Sequence, residues 1–217
     1  MSGTDFSLCQ QRLELLLSLK VLVKLRTQTE VCATKFMHAQ PQSDSKSVWR
    51  LDPDHSSVEF SIKKLLFFTV TGRFTDLDGS IVLDEKSVHR SSVEASVAAR
   101  SVNTRNQQRD RQLRLAAFLD ATAFPQIRFQ STEVLPGKDR DMLRIKGALT
   151  IKDTSREVVL DVTEVDRSRA PSGEEVIYYV AETALNRFDF GVNGWRGLIA
   201  QQLKVVINVQ ANRESLC

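Results

Sequence analysis

Ser57-Val58-Glu59-Phe60-Ser61-Ile62-Lys63 alternates polar and apolar side chains residue by residue, and Ser92-Val93-Glu94-Ala95-Ser96-Val97-Ala98-Ala99-Arg100 does the same. Successive residues of an extended chain point to opposite faces, so each stretch is a strand with one wet face and one apolar face. The pattern returns at Leu143, Ile145, Gly147, Leu149 and Ile151, and again at Leu203, Val205, Ile207 and Val209. One-sided antiparallel strands spread over most of the chain need a shared interior, and too few helical stretches are present to cover an open sheet. An all-β closed barrel or a sandwich follows, and a barrel can hold a ligand.

Working outward from these stretches, further strands are expected at Val48–Leu51, Phe67–Phe74, Gly79–Leu83, Ile127–Val134, Glu157–Val165 and Val176–Leu185, with Ser92–Val102 read as one strand and Gln202–Ala211 as the last. Pro53 forces extended or turn geometry on Asp52, and Pro125 restarts strand geometry after an insertion. Between Asn103 and Phe124 the alternation stops. Leu113, Ala116 and Ala117 recur at helical spacing, which predicts an inserted helix across the stretch. A hairpin loop is expected at Lys152–Ser155, a turn at Pro171–Gly173, and a long irregular connection from Asn186 to Gly197.

The 217 residues carry 30 basic and 27 acidic side chains, a net charge of +3. So small and mixed an excess, with no basic run interleaved with aromatics, speaks against a nucleic-acid partner. Cys9, Cys32 and Cys217 all lie outside the strand-rich region, so the sequence implies neither a disulfide framework nor a metal site in the core. Residues 1–46 differ in texture: Leu13, Leu16, Leu17, Val21 and Leu25 fit one face of an amphipathic helix, and a polar stretch from Gln40 leads into the barrel domain, 47–217. That helix suits a membrane surface or a partner, or packing on the barrel, or a true start at Met37. Glu14, Lys20 and Lys24 break the uninterrupted apolar run an export signal requires, which makes the cytoplasm the expected compartment.

The ordered set Trp49, Asp52-Pro53, His55-Ser56, Phe60, Gly72, Phe74, Gly79, Ser101, Arg109-Asp110, Leu113, Phe118, Phe124-Pro125, Phe129, Ser131, Gly147, Leu149-Thr150 and Asn186-Arg187, Asp189-Phe190-Gly191 resembles the YceI-like family of polyisoprenoid-binding proteins over about residues 48–212. The resemblance implies an all-β, eight-stranded antiparallel up-and-down barrel, lipocalin-like, whose long apolar pore holds an isoprenoid chain, often in a homodimer, with many members exported to the periplasm. Lys64 stands where the family commonly has a histidine, and Arg111 or Gln112 replaces another; both changes bear on head-group contacts.

The residues themselves are consistent with that implication. The inferred inner face of one strand is Val93, Ala95, Val97 and Ala99, and small inward side chains leave room for an apolar ligand, unless they serve only to let the inserted helix approach. Expected lining residues are Phe60, Ile62, Phe68, Phe74, Val97, Phe118, Phe124, Phe129, Ile145 and Leu149. His55, Arg109, Asp110, Asn186 and Arg187 are expected at a polar pore end or in structural pairs, Arg187 with Asp110 or Arg109 with an acid, because a charge beside an apolar interior is costly alone. No nucleophile elbow, phosphate loop or metal-ligand cluster is legible, so catalysis has no identifiable machinery and no cofactor is expected beyond a bound lipid. A filled barrel with a structural or partner-binding role is the alternative.

Overall fold

The computed structural model describes residues 46–214 apart from Leu66, Pro171 and Ser172. The N-terminal amphipathic stretch, the three cysteines and most of the expected turn at 171–173 lie outside these residues. The described strands are β1 (Lys46–Leu51), β2 (Ser57–Lys64), β3 (Phe68–Phe74), β4 (Leu77–Asp84), β5 (Ser92–Ala98), β6 (Val102–Asn103), β7 (Gln126–Pro136), β8 (Met142–Ile151), β9 (Thr154–Arg169), β10 (Glu175–Asn186) and β11 (Ile199–Arg213), with one helix, α1 (Gln107–Leu113).

Every pairing is antiparallel, and β1–β2, β3–β4 and β5–β6 are each one wall strand bent in the middle. The walls therefore number eight. β11 pairs with β1 and β2 on one side and β10 on the other, which closes the ring and leaves no long free edge between first and last strands. The first bend follows from Pro53, after which the chain rejoins β11 three residues on, Leu51 facing Ala211 and Ser57 facing Asn208. The other two bends are tied by one hydroxyl: Ser101 Oγ donates to Ala98 O (2.8 Å) and accepts from Thr75 N (3.2 Å) and Asp76 N (3.3 Å). Alternation does not register such a tie, so the expected single strand over Ser92–Val102 is interrupted by a 3-10 turn at Ala99–Ser101.

The insertion also departs from expectation. The helix stops at Leu113 rather than reaching Phe124, and from Arg114 the chain runs in turns, with Asp120 at φ 48°. The segment is short of surface to bury along a helical stripe, and Phe118 instead turns inward to 7% exposure. Asn106 caps α1 by accepting from Arg109 N at 3.0 Å. The β8–β9 loop is tighter than expected, only Lys152 and Asp153.

One end of the barrel is packed shut. Trp49, Leu51, Leu83, Val134, Ile177 and Ala211 are buried there, and Trp49 donates to Ser47 Oγ at 2.8 Å. The wholly buried Asp84 meets Arg90 at 2.6 Å and accepts from Lys86 N and Ser87 N, so its charge is matched. The opposite end gathers the β2–β3 turn, the α1 insertion, the β8–β9 turn and the 186–198 connection.

Candidate ligand-binding bore

Strand alternation delivers one apolar side chain in two to the interior, and together these side chains surround a cavity of about 320 Å³. Val58, Phe60 and Ile62 come from β2; Val93, Ala95 and Val97 from β5; Leu143, Ile145, Leu149 and Ile151 from β8; Leu203, Val205, Ile207 and Val209 from β11. The inner faces inferred from period two are thus the cavity walls, except that Ala99 is buried in the 3-10 turn outside the lining. Two glycines make room for rings. A Cβ at Gly147 would fall 2.5 Å from the Phe129 ring, and one at Gly72 would fall 2.5 Å from the Phe60 ring, so both phenyl groups pack their far ends directly against backbone.

Of the ten apolar residues expected to line the bore, Phe60, Ile62, Phe74, Val97, Phe118, Phe129, Ile145 and Leu149 do so. Phe68 does not. It shares the inward parity of Val70 and Phe74 but sits at the first residue of β3, past the rim, and is 65% exposed. Phe124 is half-buried two residues before β7 begins and lies outside the wall. Lys64, Leu113, Leu119, Tyr179 and Trp195 line the cavity as well. Trp195 belongs to a glycine-punctuated connection that reads as loop, and nothing in its spacing says that the loop folds back over the bore.

The polar residues arrange themselves differently from expectation. Arg187 is buried at the mouth, yet among the described residues it pairs with no acid: its guanidinium donates to Ala200 O (2.9 Å), Val192 O and Gly194 O (both 2.8 Å) and Ile199 O (3.2 Å). Val192 and Gly194 belong to the irregular connection and Ile199 and Ala200 to the irregularly paired start of β11, and one planar five-donor group bonds all four carbonyls. Burial, with the neighbouring charge of Arg196, pulls Arg187 below its ordinary pKa. Asp110 accepts from Thr104 N (2.8 Å) and Thr104 Oγ1 (2.5 Å), while Arg109 donates to Thr104 Oγ1 (2.7 Å) and Thr104 O (2.8 Å). Thr104 is thus the knot between them, replacing the expected pairing of Asp110 with Arg187. Asn186 caps the 3-10 turn Arg187–Phe190 by accepting from Phe188 N and also donates to Asp189. His55 stands exposed at the β1–β2 bend, 2.9 Å from Asp52, and not at a pore end.

Lys64, Arg109 and Arg187 reach the cavity near its mouth, and no carboxylate lies among the described lining residues. At the other end Tyr179 donates to Glu164 at 2.8 Å; burial and that hydrogen bond raise its pKa. No group of three or more His, Cys, Asp or Glu side chains suited to a metal occurs among the described residues, and no described helix is long and apolar enough to cross a membrane.

Comparison with known proteins is consistent with this geometry. Protein YceI of Shigella flexneri is 33% identical over 156 residues, 72% of this chain and 81% of that protein. Burkholderia cenocepacia BcnA superposes with a TM-score of 0.67 at 18% identity, covering 74% of this chain and 98% of BcnA. A polyisoprenoid binding domain from Saccharophagus degradans superposes with a TM-score of 0.57 at 14% identity, over 76% and 98% of the two chains. The latter two establish the barrel architecture alone. Residues 49–211 match the YceI-like domain across nearly the whole described barrel, and the chain belongs to that family.

Proposed function

We propose that the bore holds the hydrocarbon chain of an isoprenoid or a similar apolar lipid, and that the protein is a non-catalytic carrier, store or scavenger of it. The observation that carries this reading is the cavity itself: about 320 Å³ walled almost wholly by aliphatic and phenyl groups inside a closed barrel. The polyisoprenoid binding domain of Saccharophagus degradans, which shares the architecture, supports it. Each buried CH2 contributes about 0.8 kcal/mol, so roughly ten carbons supply the ~8 kcal/mol of a micromolar complex without a hydrogen bond. With Lys64, Arg109 and Arg187 at the mouth and no described carboxylate in the lining, the head group favoured is anionic or a neutral hydrogen-bond acceptor.

Ala95 tests the reading. It faces the cavity between Gly79 and Phe129, and Ala95→Phe puts a ring where the chain would lie. Overpacking costs about 1–3 kcal/mol, so the melting temperature should fall modestly while lipid recovered by solvent extraction and mass spectrometry falls steeply. Unchanged lipid in the variant, or none in the parent protein, would sink the proposal in favour of a filled barrel.

A further inference from the structure

Six large apolar side chains are left exposed at one end of the barrel. In the β2–β3 turn Leu65 is 48% exposed, Phe67 88% and Phe68 65%; in the insertion Leu115 is 61% exposed; in the 186–198 connection Trp195 is 40% and Leu198 50% exposed. The three segments are joined: Leu65 N donates to Leu198 O (2.9 Å), Gly194 N donates to Ala117 O (2.8 Å), and Trp195 stands edge-on to Phe118 at 5.8 Å. They form one rim around the bore, which Trp195 lines from the same position. Scattered apolar residues on a surface need no explanation, but a joined rim of this size does.

Charge is concentrated at the same end. Segments 63–68, 103–124 and 186–198 hold eight basic and three acidic residues, an excess of five in a chain whose total is +3. Among the described residues no salt bridge involves Lys63, Lys64, Arg111 or Arg196; Lys64 lies 5.5 Å over the Trp195 ring instead. Aromatic and aliphatic tips ringed by cations are the composition that settles at the boundary between lipid phosphates and acyl chains.

We propose that this rim docks on an anionic lipid bilayer, with Phe67 and Phe68 entering the acyl boundary, the cations meeting phosphates, and the bore opening directly into the membrane. A protein partner of comparable surface would have to supply both a broad apolar socket and a ring of acids; a bilayer bearing anionic lipid supplies both along any part of its surface. The inference does not rest on the cargo, because membrane association can be read without one.

The test uses the full chain and vesicles of phosphatidylcholine with or without about 30 mol% phosphatidylglycerol, in flotation assays. The parent protein should float with the anionic vesicles, far less with neutral ones, and less in high salt. Only two tryptophans are present, and Trp49 is 1% exposed at the far end, so quenching by brominated acyl chains reports Trp195. Phe67→Ser with Phe68→Ser should cut vesicle binding about tenfold or more and abolish the quenching, at little cost in folding because both rings are in water already. Val165→Ser, which changes a similarly exposed residue (62%) on β9, should leave both unchanged. Binding that survives the double substitution would assign the membrane to another part of the chain and overturn the proposal. So would binding indifferent to lipid charge, an absence of binding by the parent, or a double variant whose only change is loss of a dimer, which would make a second copy the occupant of the rim.

Discussion

Arg187 shows how a charge can sit beside an apolar bore without an opposite charge. Its planar fork meets four carbonyls in directions that a single ammonium cannot reach, so Arg187→Lys keeps the cation and loses most of the hydrogen bonds. Buried unsatisfied carbonyls cost about 1–3 kcal/mol each, and the expected loss is about 2–4 kcal/mol, read as a lower urea midpoint. A variant as stable as the parent would mean that the loop refolds to satisfy itself. The sequence placed Arg187 near a polar pore end but offered it a carboxylate, because the rule that buried charges are paired is phrased for side chains; donors to loop carbonyls leave no trace in spacing. Thr104 was illegible for the same reason: a threonine between two candidate partners looks like neither.

At the scale of elements, alternation is legible wherever one face of a strand is wet, which is why the inner faces of β2, β5, β8 and β11 could be assigned from period two. It fails where a strand ends or bends. Phe68 has the right parity and the wrong height, and Ser101 breaks a strand through a hydroxyl bond that hydropathy does not record. Leu113, Ala116 and Ala117 fit the helical period, whereas the packing of Phe118 over Gly194 accompanies the chain's departure from helix after Leu113. That contact is tight: a Cβ at Gly194 would fall 2.3 Å from the Phe118 ring. Gly194→Ala should push the 186–198 connection off the insertion and cost about 1–3 kcal/mol. Hydrogen exchange should accelerate over residues 113–119 and 191–198 while the amides of β8 and β9 stay protected; uniform acceleration would mean that the two loops belong to the global folding unit.

For the whole molecule, acid stability follows from carboxylates distributed around the closed end and the first bend. Burial works against the charge of Asp52, but hydrogen bonds from His55 and Asp54 N hold its pKa below the ordinary 3.8; the Arg213 hydrogen bond likewise holds Glu175 below 4.5. Both groups bind protons more weakly in the folded than in the unfolded chain. The stabilisation is therefore present above the unfolded values and lost as pH falls through the lower folded ones. The melting temperature should drop as pH is taken below about 4.5, and Glu175→Gln should make that drop shallower; an unchanged acid limb would assign it to other groups. The buried plug of Trp49, Leu51, Leu83, Val134, Ile177 and Ala211 sets a rule of traffic as well. On the proposed reading, a tube stoppered at one end would work in single file: a lipid chain would leave by the way it came, and the next could not push it through from behind. Exchange would then proceed by vacating before reloading, so the rate at which one occupant replaces another would be capped by departure, however crowded the supply outside.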